Sequence, residues 1–213
     1  MKGANTRDLQ QGIVVITHRA MWIKPIADRN NQGVLEVTYF AHSTSKDNEA
    51  GIRSGWSDVP LSPKGIEQTQ SLCRQCATIS FDAIFCSDLQ RAAETAKIAF
   101  PGRAVVHDPR LREMNYGMLN GCAAKAFSGD PLECIHTPYN TGENCLDVER
   151  RIRAFLNERI STLPSGSIAI ISHKYPQLAL EVICNNATWE QAILNDWREE
   201  GNWQPRWRYR IDA

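Results

Sequence analysis

The feature that most limits the fold of this chain is a regular alternation. Short runs of β-branched and apolar residues, each the length of a buried strand, are separated by segments whose apolar residues recur with helical period. "VLEVTYFAH" (34–42), "FDAIFCS" (81–87), "AVVH" (104–107) and "GSIAIISH" (166–173) have the first character. Between them, "LSPKGIEQTQSLCRQCA" (61–77) opens with Ser62 as an N-cap and Pro63 at the first helical position, then repeats apolar residues at Ile66, Cys73 and Cys76. "DLQRAAETAKIAF" (88–100) is alanine-rich, with Asp88 as its expected cap and Pro101-Gly102 as its stop. "CLDVERRIRAFLNERI" (145–160) carries Val148, Ile152, Phe155 and Leu156 on one face. Strand, helix, strand, helix, strand predicts an α/β fold: three layers, α/β/α, around a mostly parallel central sheet.

That domain is expected to span residues 34–213. Residues 1–33 form an N-terminal extension in which "GIVVIT" (12–17) and "MWIKPIA" (21–27) are able to pair as a hairpin, extending the sheet or making a homodimer contact. At the other end, the alternating "RWRYRI" (206–211) reads as a half-exposed edge strand whose outward arginines guard the edge, with an aromatic ligand platform as the alternative for this tryptophan-rich tail. Of the 213 residues 42% are hydrophobic, enough for one substantial core. Lys+Arg 24 balances Asp+Glu 24, so no global positive field argues for nucleic acid, and any anion site must be local. No stretch approaches a membrane span, the first apolar run is too short for a signal-peptide core, and seven cysteines, an odd number, fit reduced thiols. The expected location is the cytoplasm.

In open α/β sheets, ligands collect at the carboxyl ends of the strands. His42 and His173 both stand there, on strands apolar enough to be central, whereas His18, His107 and His136 have no comparable setting. Arg91 falls in the first turn after "FCSD", where a planar guanidinium can point back over the sheet edge and suit a phosphate or carboxylate. "LREMNYGMLNG" (111–121) brings Glu113 into a glycine-punctuated loop, in position to donate a proton.

Taken together, these segments resemble the histidine phosphatase superfamily, with its phosphoglycerate-mutase-like fold, in order from about Leu35 to the C-terminus. "YFAHSTSKDN" (39–48) corresponds to the family strand ending in Arg-His-Gly-Glu-Thr, and "RSGWSDVPLSPKG" (53–65) to its Gly-Trp-x-Asp-x-x-Leu segment. "FDAIFCSDLQRAAETA", "LREMNYGMLNG", "TGEN" (141–144) and "IAIISH" match its later motifs. The resemblance implies a metal-independent hydrolase of small phosphomonoesters that needs no cofactor. It makes His42 the nucleophile that carries a phosphohistidine and Glu113 the acid and base. Arg91 and His173 then hold the phosphoryl oxygens, while Asn48, Ser43, Ser54 and Gly55 stand near the substrate.

The chain departs from the family pattern where it matters most. The arginine before the nucleophile is Ala41, the following glycine is Ser43, the acidic residue is Thr44, and the glycine after the second histidine is Lys174. Lys174 is the first candidate for a relocated cation, with Arg19 and Lys24 behind it. A weakened or inactive member that binds a phosphorylated ligand or a partner protein is one alternative, a site adapted to another substrate is a second, and mutase-type phosphoryl transfer is a third. Hydrolysis is favoured over transfer because Arg150, Arg151, Arg153 and Arg159 read as a solvated helical face rather than a bisphosphate clamp, with Lys125 the remaining basic residue of that stretch. The loop 122–140 is expected to form part of a lid.

Overall fold

The computed structural model describes residues 33–200 and 206–212. The expected N-terminal hairpin, with Arg19 and Lys24, lies outside them. In chain order the elements are β1 (Val34–Ala41), α1 (Lys46–Glu49), β2 (Ile52–Arg53), α2 (Pro63–Cys76), β3 (Ala83–Cys86), α3 (Gln90–Ala99) and β4 (Val106–His107). They continue with β5 (Cys122–Ala123), α4 (Cys145–Thr162), β6 (Gly166–Ser172), α5 (Lys174–Cys184), α6 (Trp189–Leu194) and β7 (Arg206–Asp212).

The main sheet runs β4-β3-β6-β1-β7. Its first four strands are parallel, and β7 closes the far edge antiparallel to β1. β6 is central, and Ile168, Ala169, Ile170 and Ile171 are all buried, as a strand covered on both faces requires. The two-residue period of a strand sends alternate side chains to opposite layers. Leu35, Val37, Tyr39, Ile168 and Ile170 pack with residues of α4, α5 and α6, while Phe40, Ile84, Cys86, Ala169 and Ile171 pack with residues of α2 and α3. Each leucine, valine, isoleucine or phenylalanine side chain among them contributes about 1.5–3 kcal/mol on burial. The layers, the parallel sheet and the central place of both histidine strands follow the alternation of the sequence.

Several details differ from the sequence expectation. α2 starts as expected, with Ser62 Oγ accepting from the Gly65 N–H at 3.1 Å and Pro63 at the first position. Its buried stripe, however, is Gly65, Thr69, Leu72 and Cys76, and Ile66 is exposed. The face is chosen by Gly65: a Cβ there would stand 2.0 Å from the Thr44 carbonyl oxygen, so the helix lies against the loop that follows His42. Asp88 does not cap α3. Its carboxylate is held by Arg112 at 2.6 and 2.7 Å, and the Gln90 N–H donates instead to Asp58 Oδ1 at 2.6 Å, a partner remote in sequence. α5 and α6 were not expected at all. Cys73 and Cys76 stand in a Cys-x-x-Cys spacing, and all seven cysteines are free thiols. At the edge strand the expected alternation is present, with Tyr209 buried and Arg208 and Arg210 exposed. No helix among the described residues is long and apolar enough to cross a membrane.

Candidate active site

β1 and β6 are neighbours in register, Ala41 opposite Ser172, so the residue that follows each strand emerges at the same edge of the sheet. Those residues are His42 and His173, and their rings stand 5.0 Å apart, centroid to centroid, at 57°. The His42 N–H donates to the Ser172 carbonyl at 2.9 Å, continuing the ladder one step past the strand. His42 Nδ1 lies 2.8 Å from the Ser43 carbonyl oxygen. A carbonyl can only accept, so Nδ1 carries the proton and Nε2 is left with its lone pair. Removal from water, and then the Arg91 guanidinium, push the His42 imidazolium down to about 3.

His173 is 1% exposed, and neither of its ring nitrogens has a partner among the described residues. Burial, followed by Arg91 and His42, holds its imidazolium well below the ordinary range. A buried ring with both nitrogens unpaired is costly in a finished structure, which suits a group waiting for a ligand. The Tyr39 hydroxyl donates to the His173 carbonyl and ties the two strand ends together.

Arg91 reaches the same edge from the other layer. It is buried at 2% exposure, and its Nη2 and Nη1 donate to the carbonyls of Gly55 and Ser57 at 2.8 and 3.1 Å. Gly55 adopts φ +53°, and a Cβ there would stand 2.0 Å from Asn120 Oδ1, so only glycine fits the turn that presents these carbonyls. Gly55 thus acts here through its backbone, as part of the clamp on Arg91, while the Ser54 carbonyl accepts from the Ser57 N–H at 2.8 Å. Glu113 is buried, with Oε1 accepting from the Met114 and Tyr175 N–H groups at 2.9 and 3.1 Å and Oε2 from the Lys174 N–H at 3.2 Å. The carboxyl group therefore sits on the amino end of α5, directly after His173. Trp56 Nε1 and Arg151 Nη2 both donate to the Glu113 carbonyl, at 2.7 and 3.0 Å.

The remaining residues named from the sequence are used differently. Ser43 is wholly buried, its hydroxyl accepting from Thr69 at 2.8 Å and its N–H donating to Thr95 at 3.1 Å. The side chain faces α2 and α3, and what it offers His42 is its carbonyl. Asn48 is exposed, and its Oδ1 accepts from the Ser45 N–H and hydroxyl, both at 2.9 Å, in a capping box on α1. Lys174, expected as a relocated cation, puts Nζ 2.7 Å from Asp196 Oδ2. Arg151 was read as part of a solvated face, but it is only 13% exposed and binds Glu143 at 3.0 Å as well as the carbonyls of Arg110 and Glu113. Periodicity could not have shown this, because Arg151 is polar like its neighbours. The "TGEN" match, which contains Glu143, was the available signal. In the loop 122–140, Phe127 and Tyr139 pack edge-on against Tyr116, at 4.9 and 5.2 Å, three residues beyond Glu113.

Both imidazoles are held neutral in the folded chain, which fixes the sign of a pH effect. The unfolded chain takes up protons at His42 and His173 as pH falls through 6.5, and the folded chain refuses them until far lower pH. Stability is therefore full above pH 6.5 and declines as pH falls towards about 4, where carboxylates begin to titrate. Urea midpoints measured across that window should fall in the wild type and fall less steeply in His42→Ala and His173→Ala; parallel slopes would show that the rings are not held neutral.

Among the described residues, no group of three or more His, Cys, Asp or Glu side chains could hold a metal ion. The constellation is instead two neutral imidazoles, a clamped guanidinium and a buried carboxyl group, which suits transfer of an anionic group to nitrogen. Comparison with known proteins agrees. The sequence profile of the histidine phosphatase superfamily (branch 1) matches residues 40–199. An adenosylcobalamin/alpha-ribazole phosphatase of Escherichia coli K12 is 37% identical over 150 residues, covering 66% of this chain and 74% of that protein. The crystal structure of the alpha-ribazole phosphatase from Shigella flexneri superposes with a TM-score of 0.66 at 26% identity, over 74% of this chain and 83% of that one. In fold alone, phosphoglycerate mutase from Bacillus anthracis is also similar, with a TM-score of 0.62 at 21% identity over 73% of this chain and 82% of its own. With a profile match that takes in both histidines, Arg91 and Glu113, the chain belongs to the histidine phosphatase superfamily.

Proposed function

We propose that the protein is a metal-independent phosphomonoester hydrolase that works on a small organic phosphate through a phosphohistidine at His42. The observation that carries this reading is the His42 Nδ1 contact with the Ser43 carbonyl, which leaves Nε2 as an uncharged nucleophile beside an unpaired buried His173 and a fixed Arg91. In the first step Nε2 attacks phosphorus, the P–O ester bond breaks, and Glu113 gives its proton to the departing alkoxide. In the second, the Glu113 carboxylate takes a proton from water, the hydroxide attacks phosphorus, the P–N bond breaks, and phosphate leaves. Arg91 and His173 hold the equatorial oxygens while charge builds on them.

Hydrolysis rather than mutase-type transfer is supported by the α4 arginines. Arg150, Arg151, Arg153 and Arg159 pair with Asp147, Glu143, Glu149 and Glu158, so they are spent on the protein's own carboxylates. The alpha-ribazole phosphatases among the relatives make a nucleoside-like monophosphate a substrate to try first. Ala41 favours a second reading, in which the cleft binds a phosphorylated ligand with little turnover. The decisive assay is phosphate release from p-nitrophenyl phosphate and a panel of nucleoside and sugar monophosphates, with and without chelator. Release that is insensitive to chelator is expected; release that requires added metal would overturn the mechanism, and phosphate binding without release would favour the second reading.

A further inference from the structure

A second guanidinium is anchored beside the helix that follows His173, from a part of the chain that the sequence motifs do not reach. β7 pairs antiparallel with β1, Arg206 opposite Phe40, so β7 begins at the edge of the sheet where β1 ends and His42 follows. The turn of 3-10 helix Trp197–Glu200 precedes β7 in the chain and contains Arg198. Arg198 Nη1 donates to Asp196 Oδ1 at 2.8 Å and Nη2 to Gln177 Oε1 at 2.7 Å. Both anchors are buried: the Asp196 side chain is 0% exposed, and Gln177, 2% exposed, lies one turn into α5, its N–H donating to the His173 carbonyl at 3.3 Å. The guanidinium also lies over the Trp197 ring, 4.5 Å from its centroid. Lys174, the other cation of this cluster, is paired with Asp196 through its remaining oxygen.

Arg198 is thus fixed beside the first turn of α5, on the layer opposite to the one that delivers Arg91. The two guanidinium groups belong to elements on the two faces of the sheet, and the charge of each lowers both His42 and His173. At the end of β1 stands Ala41, whose methyl offers no hydrogen-bond donor. A phosphoryl group on its way to His42 Nε2 presents three equatorial oxygens, and a neutral His173 ring can donate only one N–H to them beside Arg91. A guanidinium has more N–H donors than the two that Arg198 spends on its anchors.

We propose that Arg198 is a phosphoryl-binding residue, supplying from the C-terminal segment the fixed positive charge that position 41 lacks. The inference rests on the proposed phosphotransfer at His42, and Asp196 and Gln177 are its positioning residues. A charged hydrogen bond of this kind is worth roughly a ten- to 150-fold change in rate.

The test compares wild type, Arg198→Ala, Arg198→Lys and the double variant Ala41→Arg/Arg198→Ala, each first shown to melt cooperatively. Expected are a loss of about ten- to 150-fold in kcat/KM for p-nitrophenyl phosphate in Arg198→Ala, a smaller loss in Arg198→Lys, weaker inhibition by orthovanadate in both, and recovery in the double variant. Arg198→Ala within twofold of wild type in both kcat/KM and vanadate inhibition would overturn the inference. Should the wild type show no turnover, the hydrolase reading fails by itself, and inorganic phosphate decides the Arg198 question alone. A rise in wild-type melting temperature that is lost in Arg198→Ala supports the assignment, whereas an equal rise in both, or none in either, overturns it.

Discussion

His42→Ala is expected to lower phosphomonoester turnover by about four orders of magnitude or more, to the level left by binding and electrostatics alone. No other described side chain can take over. His173 is at the same strand-end edge, but it is 1% exposed, and no carbonyl fixes its tautomer as Ser43 fixes that of His42. The ring contact of 5.0 Å adds a control. Since His173 is proposed to bind oxygen rather than to attack, acid quench of the wild type during turnover should trap an acid-labile phosphohistidine on the peptide containing residue 42, and His173→Ala should slow its formation without moving the label. Label on residue 173 would reverse the two assignments. Wild-type rates in His42→Ala would remove the nucleophile altogether.

The second large effect concerns Glu113, and its size should depend on the leaving group. A general acid contributes typically about 10²–10⁴-fold, and the contribution is realised when the departing oxygen needs a proton. Glu113→Gln keeps the shape and the acceptor oxygen, so one contact with the α5 amides can survive while proton transfer cannot. Alkyl monophosphates should therefore lose about 10²–10⁴-fold in kcat, whereas p-nitrophenyl phosphate, whose phenolate leaves without help, should lose much less in the phosphorylation step. Rates of phosphohistidine formation in single turnovers make the comparison clean, because Glu113 is also proposed to activate water in the second step. Equal losses for both esters would show that Glu113 only supports the loop, a role its bonds to Met114, Lys174 and Tyr175 also permit.

What the sequence made legible follows from how each feature is encoded. β6 is an unbroken apolar run, and a run of that kind at that length has few alternatives to a central strand. The histidines could be read because strand ends in open α/β sheets gather ligands, and Arg91 because it follows a strand-to-helix corner. α5 escaped because it starts without a loop. His173 is its N-cap yet makes no side-chain cap bond, and Pro176 stands in the first turn, where its missing N–H costs the helix nothing but reads as a break in the sequence. Asp88 looked like a local cap, but Asp58 and Arg112, both distant in sequence, settle that corner. The anchoring of Arg198 could not be read either: Asp196 is near it in sequence, but Gln177 stands on α5, the helix the sequence did not show. Local chemistry is written locally, and contacts that depend on register are not.

The place of β1 in the sheet has a consequence for how the molecule is made. Leu35 pairs with Gly166 on one side and Ile211 on the other, so the strand that leads to His42 is synthesised early and finds both of its neighbours late. Pairings of such long sequence separation fold slowly and leave apolar backbone edges open in the meantime. Until those neighbours emerge, the strand that leads to His42 is an unpartnered edge with Val37, Tyr39 and Phe40 uncovered. Among the described elements, the strand that covers its outer side, β7, is the last to emerge.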